Sequence, residues 1–220
     1  MTQIAAQAAL SSRAKTLLGT NLIVPVIEID DAAEAVPLTR ALAAGGITLV
    51  EITFRTPAGL DAVRAAATQT DSTVGAGTIL TPADVDAAAD AGAAFGVSPG
   101  WDPLTAARAV ERDFPLIPGI TGASDIQQRL AEGHRLVKFF PAEANGGVGA
   151  LKQLSAPFAH TGIRFMPTGG VSAQNASAYL SLATVAAVGG SWVSPRALVR
   201  GGTFDQITEL AAAAVAAVQE

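Results

Sequence analysis

Short apolar runs alternate with alanine-rich stretches along the whole chain, and this alternation predicts a regular succession of strands and helices. The runs are rich in β-branched residues, whereas the stretches between them carry apolar residues at helical spacing. Two of these stretches begin with a capping residue before a proline, at Thr81-Pro82 and Asp102-Pro103, as helices often do. The predicted strands cover residues 21–28, 49–54, 73–78, 94–98, 115–119, 136–141, 164–168 and 185–189. The helices that follow them are predicted at about 33–44, 57–68, 82–92, 103–112, 124–133, 147–154, 172–182 and 204–220.

Eight strand–helix units with short loops predict a parallel sheet covered by helices. In a chain of 220 residues they fit an α/β fold, the (β/α)8 TIM barrel, and a doubly wound open sheet is the structural alternative. No linker or shift in composition divides the chain, so we expect residues 1–220 to form a single domain. Residues 1–18 predict an additional N-terminal helix, for which we hypothesise a role in capping the lower mouth of the barrel.

The composition narrows the possible functions. Cysteine is absent, which excludes disulfides and thiolate chemistry and is compatible with a cytoplasmic location. The net charge of −5 and the lack of basic clusters argue against a nucleic-acid partner. No apolar run reaches the roughly 20 residues that span a bilayer, and no signal peptide is evident. The two histidines, His134 and His160, are expected to be exposed loop residues, poorly placed for a metal site.

Lys138 lies in the middle of the apolar segment 136–141, whereas the other two lysines fall in helical or loop segments. A buried ammonium is costly, so such a lysine either pairs with an acid or stays partly neutral. The neutral amine is a nucleophile that forms a Schiff base with a carbonyl substrate. The alternative is a lysine whose stem is buried and whose charged head reaches water.

Alternation along the strands places Lys138 and Glu51 on the inner face of the barrel. Val137 and Phe139 must face the helices, so Lys138 faces inward, and Glu51 alternates in the same way with its apolar neighbours. Both belong to even-numbered strands, which contribute to the same interior layer. We therefore expect an acid and an amine to meet there, either as a catalytic pair or as a structural ion pair. Glycines on the strands predict an open interior around them: Gly75, Gly77, Gly96, Gly119 and Gly189.

Further polar residues and glycines follow the strands at the end where barrels carry their active sites. Arg55 offers a planar fork for a carboxylate, and Thr78 adds a hydroxyl. Residues 168–172, directly before a predicted helix, and 189–191 form two glycine-rich loops suited to a phosphate, although tight turns also need such glycines.

Five segments together resemble the bacterial 2-keto-3-deoxy-6-phosphogluconate and 4-hydroxy-2-oxoglutarate aldolases, the KDPG/KHG aldolase family. They are EITFRT at 51–56, GAGT at 75–78, FGVSPG at 95–100, VKFFPA at 137–142 and PTGGV at 167–171. The resemblance implies a metal-free class I aldolase without a cofactor, usually a homotrimer, that acts on a phosphorylated keto acid and releases pyruvate.

The resemblance also implies roles for individual residues. Lys138 would be the Schiff-base lysine and Glu51 the general acid and base. The substrate-binding positions that it implies are Arg55 and Thr78 for the carboxylate, Gly169, Gly170 and Ser191 for the phosphate, Thr168 beside the substrate hydroxyl, and Pro99, Phe140 and Gly190 nearby.

Several alternatives remain open on the sequence alone. The same lysine and glutamate serve relatives that act on the galactonate epimer of the substrate. A phosphosugar isomerase or a non-catalytic binding barrel would keep the glycine loops without needing Lys138. A metal-dependent aldolase would need a ligand cluster.

Overall fold

The computed structural model describes residues 2–219, and the expected α/β barrel with an additional N-terminal helix is confirmed. The strands are β1 (Ile23–Ile27), β2 (Leu49–Thr53), β3 (Thr73–Gly77), β4 (Phe95–Val97), β5 (Leu116–Ile117), β6 (Gly119–Ile120), β7 (Leu136–Phe139), β8 (Arg164–Pro167) and β9 (Val188–Gly190). The α-helices are α1 (Gln3–Leu18), α2 (Ala35–Ala44), α3 (Gly59–Gln69), α4 (Pro82–Asp90), α5 (Pro103–Glu111), α6 (Ala123–Ala131), α7 (Gly147–Ser155), α8 (Ala176–Leu180), α9 (Arg196–Arg200) and α10 (Phe204–Gln219). Short 3-10 helices lie at Ala32–Glu34 and Ala156–Thr161.

The strands are parallel and close into a barrel. Six run in the order β5-β4-β3-β2-β1-β9, and three in the order β6-β7-β8. Isolated parallel bridges, Phe165 to Val185 and Thr168 to Gly189, connect β8 with the segment of β9. The other junction is covalent, since only Pro118 separates β5 from β6.

Pro118 explains why the fifth predicted strand is found as two pieces. Proline has no N–H to donate to a sheet, so it interrupts the ladder. The residues before it, in β5, pair with β4, and those after it, in β6, pair with β7. The interruption therefore lies where the chain passes from one sheet to the other.

Helix α1 fills the lower end of the barrel. Its buried residues, which include Leu10, Ala14 and Leu18, recur every three or four positions on one face. Ala14 and Leu18 join the apolar cluster inside the barrel, where they meet inward residues such as Leu49 and Leu136. The hypothesis that this helix caps the lower mouth is confirmed.

The expectation of two exposed histidines is wrong for His134. His160 is exposed, but His134 is completely buried just before β7. The Nε2 amide of Gln7 on α1 lies 3.3 Å from the Nδ1 atom of His134, and the Trp101 ring meets the imidazole edge-on at 5.1 Å. Arg129, also buried, stacks on the Trp101 ring, with its guanidinium carbon 3.5 Å from the centre of that ring. A histidine that sequence alone places at a loop is therefore held by a helix far away in the chain.

No helix within residues 2–219 is long and apolar enough to cross a membrane.

Candidate active site

Lys138 projects from the middle of β7 into the upper half of the barrel. Its backbone is fixed on both sides, since it pairs with Gly119 of β6 and with Met166 of β8. Val137 and Phe139 face the helices, as the alternation predicts, and belong to the outer apolar core. The residue is only 5% exposed, so its amine is not a surface group that reaches freely into water.

Glu51 meets this amine from the opposite wall. The Nζ atom of Lys138 donates a hydrogen bond to the Oε1 atom of Glu51 at 3.2 Å, and the carboxylate is fully buried. Around the barrel, β2 and β7 are separated by β3, β4 and the β5–β6 strand on one side and by β1, β9 and β8 on the other. Glu51 and Lys138 therefore come from opposite walls. The second oxygen, Oε2, is buried and accepts no hydrogen bond from residues 2–219.

The expectation of an open interior at the strand glycines is wrong. A side chain at Gly77 would overlap the carboxylate of Glu51, and one at Gly75 would overlap the ring of Phe95. Gly119 makes room for the backbone of Pro99, while Gly189 makes room for the side chain of Thr168. These glycines therefore allow neighbouring groups to approach closely, and Gly77 in particular permits Glu51 to lie across β3 towards Lys138.

Thr78 lies directly after β3 in a conformation that is uncommon for its residue type. Its φ angle is 63°, in the left-handed region that a β-branched side chain rarely adopts. Such strain is concentrated at sites where the surrounding structure requires a particular geometry. The backbone angle of Thr78 therefore indicates a functional position. The sequence could not show this, because the motif reveals only a hydroxyl at the end of a strand.

Arg55 does not join the Lys138–Glu51 pair. Its side chain is 58% exposed, and its Nη1 atom donates to the Oε1 atom of Glu28, which directly follows β1. The arginine lies two residues beyond β2, at the carboxyl ends of the strands. The remaining nitrogens of its guanidinium, Nε and Nη2, donate to no group within residues 2–219 and can therefore bind an anion.

The loop after β8 contains two consecutive glycines, whose backbone N–H groups no side chain of their own shields from an anion. Gly169 and Gly170 have φ angles of 95° and 80°, which favour glycine. The ring of Phe140 lies against Gly169 and the side chain of Glu143 lies against Gly170. A hydrogen bond holds Glu143 in place, because the hydroxyl of Tyr179 donates to its carboxylate. Burial and this carboxylate raise the pKa of Tyr179 well above its usual range, so the phenol keeps its proton.

The helix expected directly after this loop is absent at Ser172. Ser172 forms a turn in which its N–H donates to the side chain of Asn175 at 2.8 Å, and α8 begins only at Ala176 with five residues. A helix this short carries little dipole. Any phosphate bound here would therefore depend on the N–H groups of the glycine backbone.

The other predicted positions lie at or just beyond the carboxyl ends of β7, β8 and β9. The Nζ atom of Lys138 lies 5.3 Å from the centre of the Phe140 ring, within the range of a cation–π contact. Thr168 is buried, with its hydroxyl in the space that Gly189 leaves, and Gly190 packs against the ring of Trp192. Ser191 is exposed at the end of β9.

Comparisons with known proteins find relatives over nearly the whole chain. The family model for aldolases described as KDPG and KHG aldolase matches residues 15–210. The KHG/KDPG aldolase of Escherichia coli (strain K12) is 45% identical over 204 residues, which cover 92% of this chain and 94% of that protein. The 2-dehydro-3-deoxy-phosphogluconate aldolase of Dickeya dadantii (strain 3937) is 45% identical over 205 residues, with coverage of 92% and 95%.

A solved structure extends the similarity to the chemistry of a relative. The KDPG aldolase of Legionella pneumophila superposes with a TM-score of 0.86 and 38% sequence identity, covering 91% of this chain and 97% of that one. In that crystal structure pyruvate is captured as a covalent carbinolamine intermediate.

Proposed function

Because the chain belongs to the KDPG and KHG aldolase family, we propose that it is a class I aldolase that cleaves 2-dehydro-3-deoxy-6-phosphogluconate to pyruvate and glyceraldehyde 3-phosphate. The second substrate is 4-hydroxy-2-oxoglutarate, which gives pyruvate and glyoxylate. One observation carries the proposal: an amine and a carboxylate meet at 3.2 Å inside the barrel, and each is almost fully buried. A buried ion pair alone is weak evidence of function. Here the rim of the same barrel also carries Arg55, Thr78 and a glycine loop, which offer binding groups for the two ends of such a substrate.

The reaction begins at Lys138. Its amine, having lost a proton, attacks the C2 ketone of the substrate, and loss of water from the carbinolamine gives an iminium ion that withdraws electrons. Glu51 removes the proton from the C4 hydroxyl, so the C3–C4 bond breaks and the aldehyde departs. The electron pair of that bond remains on the pyruvate enamine.

Glu51 then returns a proton to C3, and water hydrolyses the iminium ion to release pyruvate and the free amine. One carboxylate suits both proton transfers, because the group that takes the proton lies next to the carbon that later receives it. Arg55 and Thr78 hold the carboxylate of the substrate, and the backbone around Gly169, Gly170 and Ser191 holds the phosphate. Thr168, Pro99, Phe140 and Gly190 shape the space between these ends.

Trapping with borohydride tests this mechanism. The protein is incubated with pyruvate, reduced, and analysed by intact mass and peptide mapping. We expect one reduced pyruvyl group per chain, located on Lys138. Lys138→Ala should abolish the adduct, whereas Lys152→Ala, which removes an exposed lysine of α7, should retain it. An adduct that persists in Lys138→Ala would refute the proposal, and cleavage that EDTA abolishes would indicate a metal-dependent enzyme.

A panel of substrates tests the specificity. Cleavage rates are compared for the phosphogluconate-derived substrate, its galactonate epimer, their unphosphorylated forms and 4-hydroxy-2-oxoglutarate. We expect the highest kcat/KM for the phosphogluconate-derived compound. A higher value for the galactonate epimer would reassign the substrate while leaving the chemistry unchanged.

We also propose that the protein is a cytoplasmic homotrimer, on the basis of its resemblance to the family. Leu80 and Leu104 are exposed and lie close together, since the hydroxyl of Thr105 donates to the carbonyl of Leu80. These neighbouring leucines are candidates for part of the subunit contact. Native mass spectrometry should give three times the chain mass of 22.1 kDa, and a monomer or dimer would contradict the assignment.

A further inference from the structure

Five charged residues of alternating sign form a continuous network at the upper rim of the barrel. We call them the rim network: Arg55, Glu28, Arg196, Asp30 and Arg200. They come from three separate elements, because the two acids follow β1, Arg55 follows β2, and Arg196 and Arg200 lie on α9. The network therefore connects the end of β2 with a helix that begins after the last strand.

Glu28 is the central connection in this network. Its Oε1 atom accepts a hydrogen bond from Arg55, and its Oε2 atom accepts one from Nη1 of Arg196 at 3.1 Å. Glu28 is the better shielded partner, with 25% of its side chain exposed against 58% for Arg55. A half-buried carboxylate that is held on one side can fix a long and flexible arginine on the other.

Arg196 is held in turn by Asp30. Its Nε atom donates to Asp30 at 2.9 Å, its Nη2 atom donates to the other oxygen, and its Nη1 atom is engaged by Glu28. Arg200, one helical turn later, also donates to Asp30 at 2.5 Å. The two guanidinium groups hold the pKa of Asp30 well below its usual range, so the carboxylate stays charged at neutral pH.

Arg55 differs from Arg196 because, among residues 2–219, only one of its nitrogens has an acceptor. Arg196 uses three nitrogens for its two acids, whereas Arg55 donates from Nη1 alone. The neighbouring backbone is also fixed, since the hydroxyl of Thr56 donates to the carbonyl of Ile29. Three arginines against two acids leave one excess positive charge in the network. Within residues 2–219 both Arg55 and Arg200 keep unused donors, and of the two only Arg55 directly follows a barrel strand.

We propose that Glu28 is a positioning residue that holds Arg55 in the orientation in which it binds the substrate carboxylate. This inference rests on the proposed function, in which Arg55 takes that role. An exposed arginine that moves freely loses conformational entropy when it binds an anion, and a carboxylate that has already fixed it removes part of this cost. Glu28 thus acts through Arg55 and affects binding more than chemistry.

Steady-state kinetics of Glu28→Ala and Glu28→Gln, together with the KM for pyruvate in borohydride trapping, test this role. We expect Glu28→Ala to raise both KM values about tenfold, equivalent to about 1.4 kcal/mol, with kcat within about twofold of the wild type. Glu28→Gln retains an oxygen that accepts from Arg55, so its effect should be smaller. Arg196→Gln should act in the same direction, and its effect should shrink in the Glu28→Ala background because both changes affect the same contact.

Asp86→Asn provides the matched control. Asp86 joins α4 to α5 through Arg108 and Arg112 in a similar surface network, so the variant loses comparable ion pairs away from the rim. We expect it to leave both KM values unchanged. Unchanged KM values in Glu28→Ala, lower ones, or a fall confined to kcat would overturn the role of Glu28. If the wild type itself forms no pyruvyl adduct, the proposed function fails first and this role fails with it.

Discussion

Glu51 is the residue on which the proposed chemistry depends most after Lys138. Glu51→Gln keeps a hydrogen-bond acceptor for the amine but can neither take nor return a proton. We expect kcat for cleavage to fall about 100-fold or more, as the loss of a general base does, while pyruvate is still trapped on Lys138. Stopped-flow assays of aldehyde release and the trapping experiment measure the two effects separately.

An exposed carboxylate supplies the control for this substitution. Glu111→Gln on α5 neutralises an exposed carboxylate that pairs with Arg108, and it should change neither readout. Wild-type cleavage by Glu51→Gln would show that the buried pair is structural.

Thr78 gives a second prediction at this scale. Thr78→Gly removes a hydroxyl and also relieves a left-handed conformation that costs on the order of 1 kcal/mol or more in a non-glycine residue. We therefore expect little change in the urea midpoint but a clear rise in the KM for pyruvate. Thr78→Val, which keeps the strain and loses the hydroxyl, should be both less stable and weaker in binding. A Thr78→Gly protein with wild-type KM would remove Thr78 from the carboxylate site.

A substitution in the loop between β8 and α8 should affect the two proposed substrates differently. In Gly170→Ala the new side chain would meet Glu143, and the φ angle of 80° is unfavourable for alanine, so the loop must change shape. We expect the KM for the phosphorylated substrate to rise at least about tenfold, whereas 4-hydroxy-2-oxoglutarate, which has no phosphate, should be affected much less. Equal effects on both substrates would place the phosphate elsewhere.

The elements themselves follow closely from the sequence, because alternation in the strands and caps at the helices are local signals. Thr81 and Asp102 cap α4 and α5 as the sequence predicts. The break at Pro118 and the turn that delays α8 depend on which neighbours each backbone meets, and the sequence does not give those contacts. Helix α9 was missed because its five residues are too few to establish a period.

Within the candidate site, too, some features could be predicted from the sequence and others depend on tertiary contacts. The meeting of Lys138 with Glu51 could be predicted because strand parity and barrel closure determine it. The rim network could not be predicted, since it depends on the course of the segments after β1 and β9. The role of the strand glycines was misjudged because composition shows that a side chain is missing, but not which neighbour fills the space.

At the scale of the whole molecule, the protonation of His134, which contacts α1, makes the stability of the folded protein depend on pH. Burial, together with the charges of Arg129 and Arg135, lowers the pKa of His134 to about 3. In the unfolded chain the pKa is about 6.5, so between these values the unfolded state binds a proton that the native state does not. The stabilisation is therefore complete above about pH 6.5 and is lost as the pH falls towards 3.

Urea unfolding at several pH values measures this effect. We expect the free energy of unfolding to fall by about 2 kcal/mol between pH 7 and about pH 5 on account of this one group. His134→Gln should flatten that part of the pH dependence, whereas substitution of the exposed His160 should retain it. The same slope in all three proteins would show that another group is responsible.

The position of α1 has a consequence for the order of events in catalysis. Because Ala14 and Leu18 fill the lower end of the barrel, the reactants and both products share the upper rim as their passage. In the proposed mechanism the aldehyde leaves while the pyruvate carbons are still bonded to Lys138, so it must clear this passage first. Product inhibition should therefore be ordered, with pyruvate competing with the substrate and the aldehyde acting as a noncompetitive inhibitor.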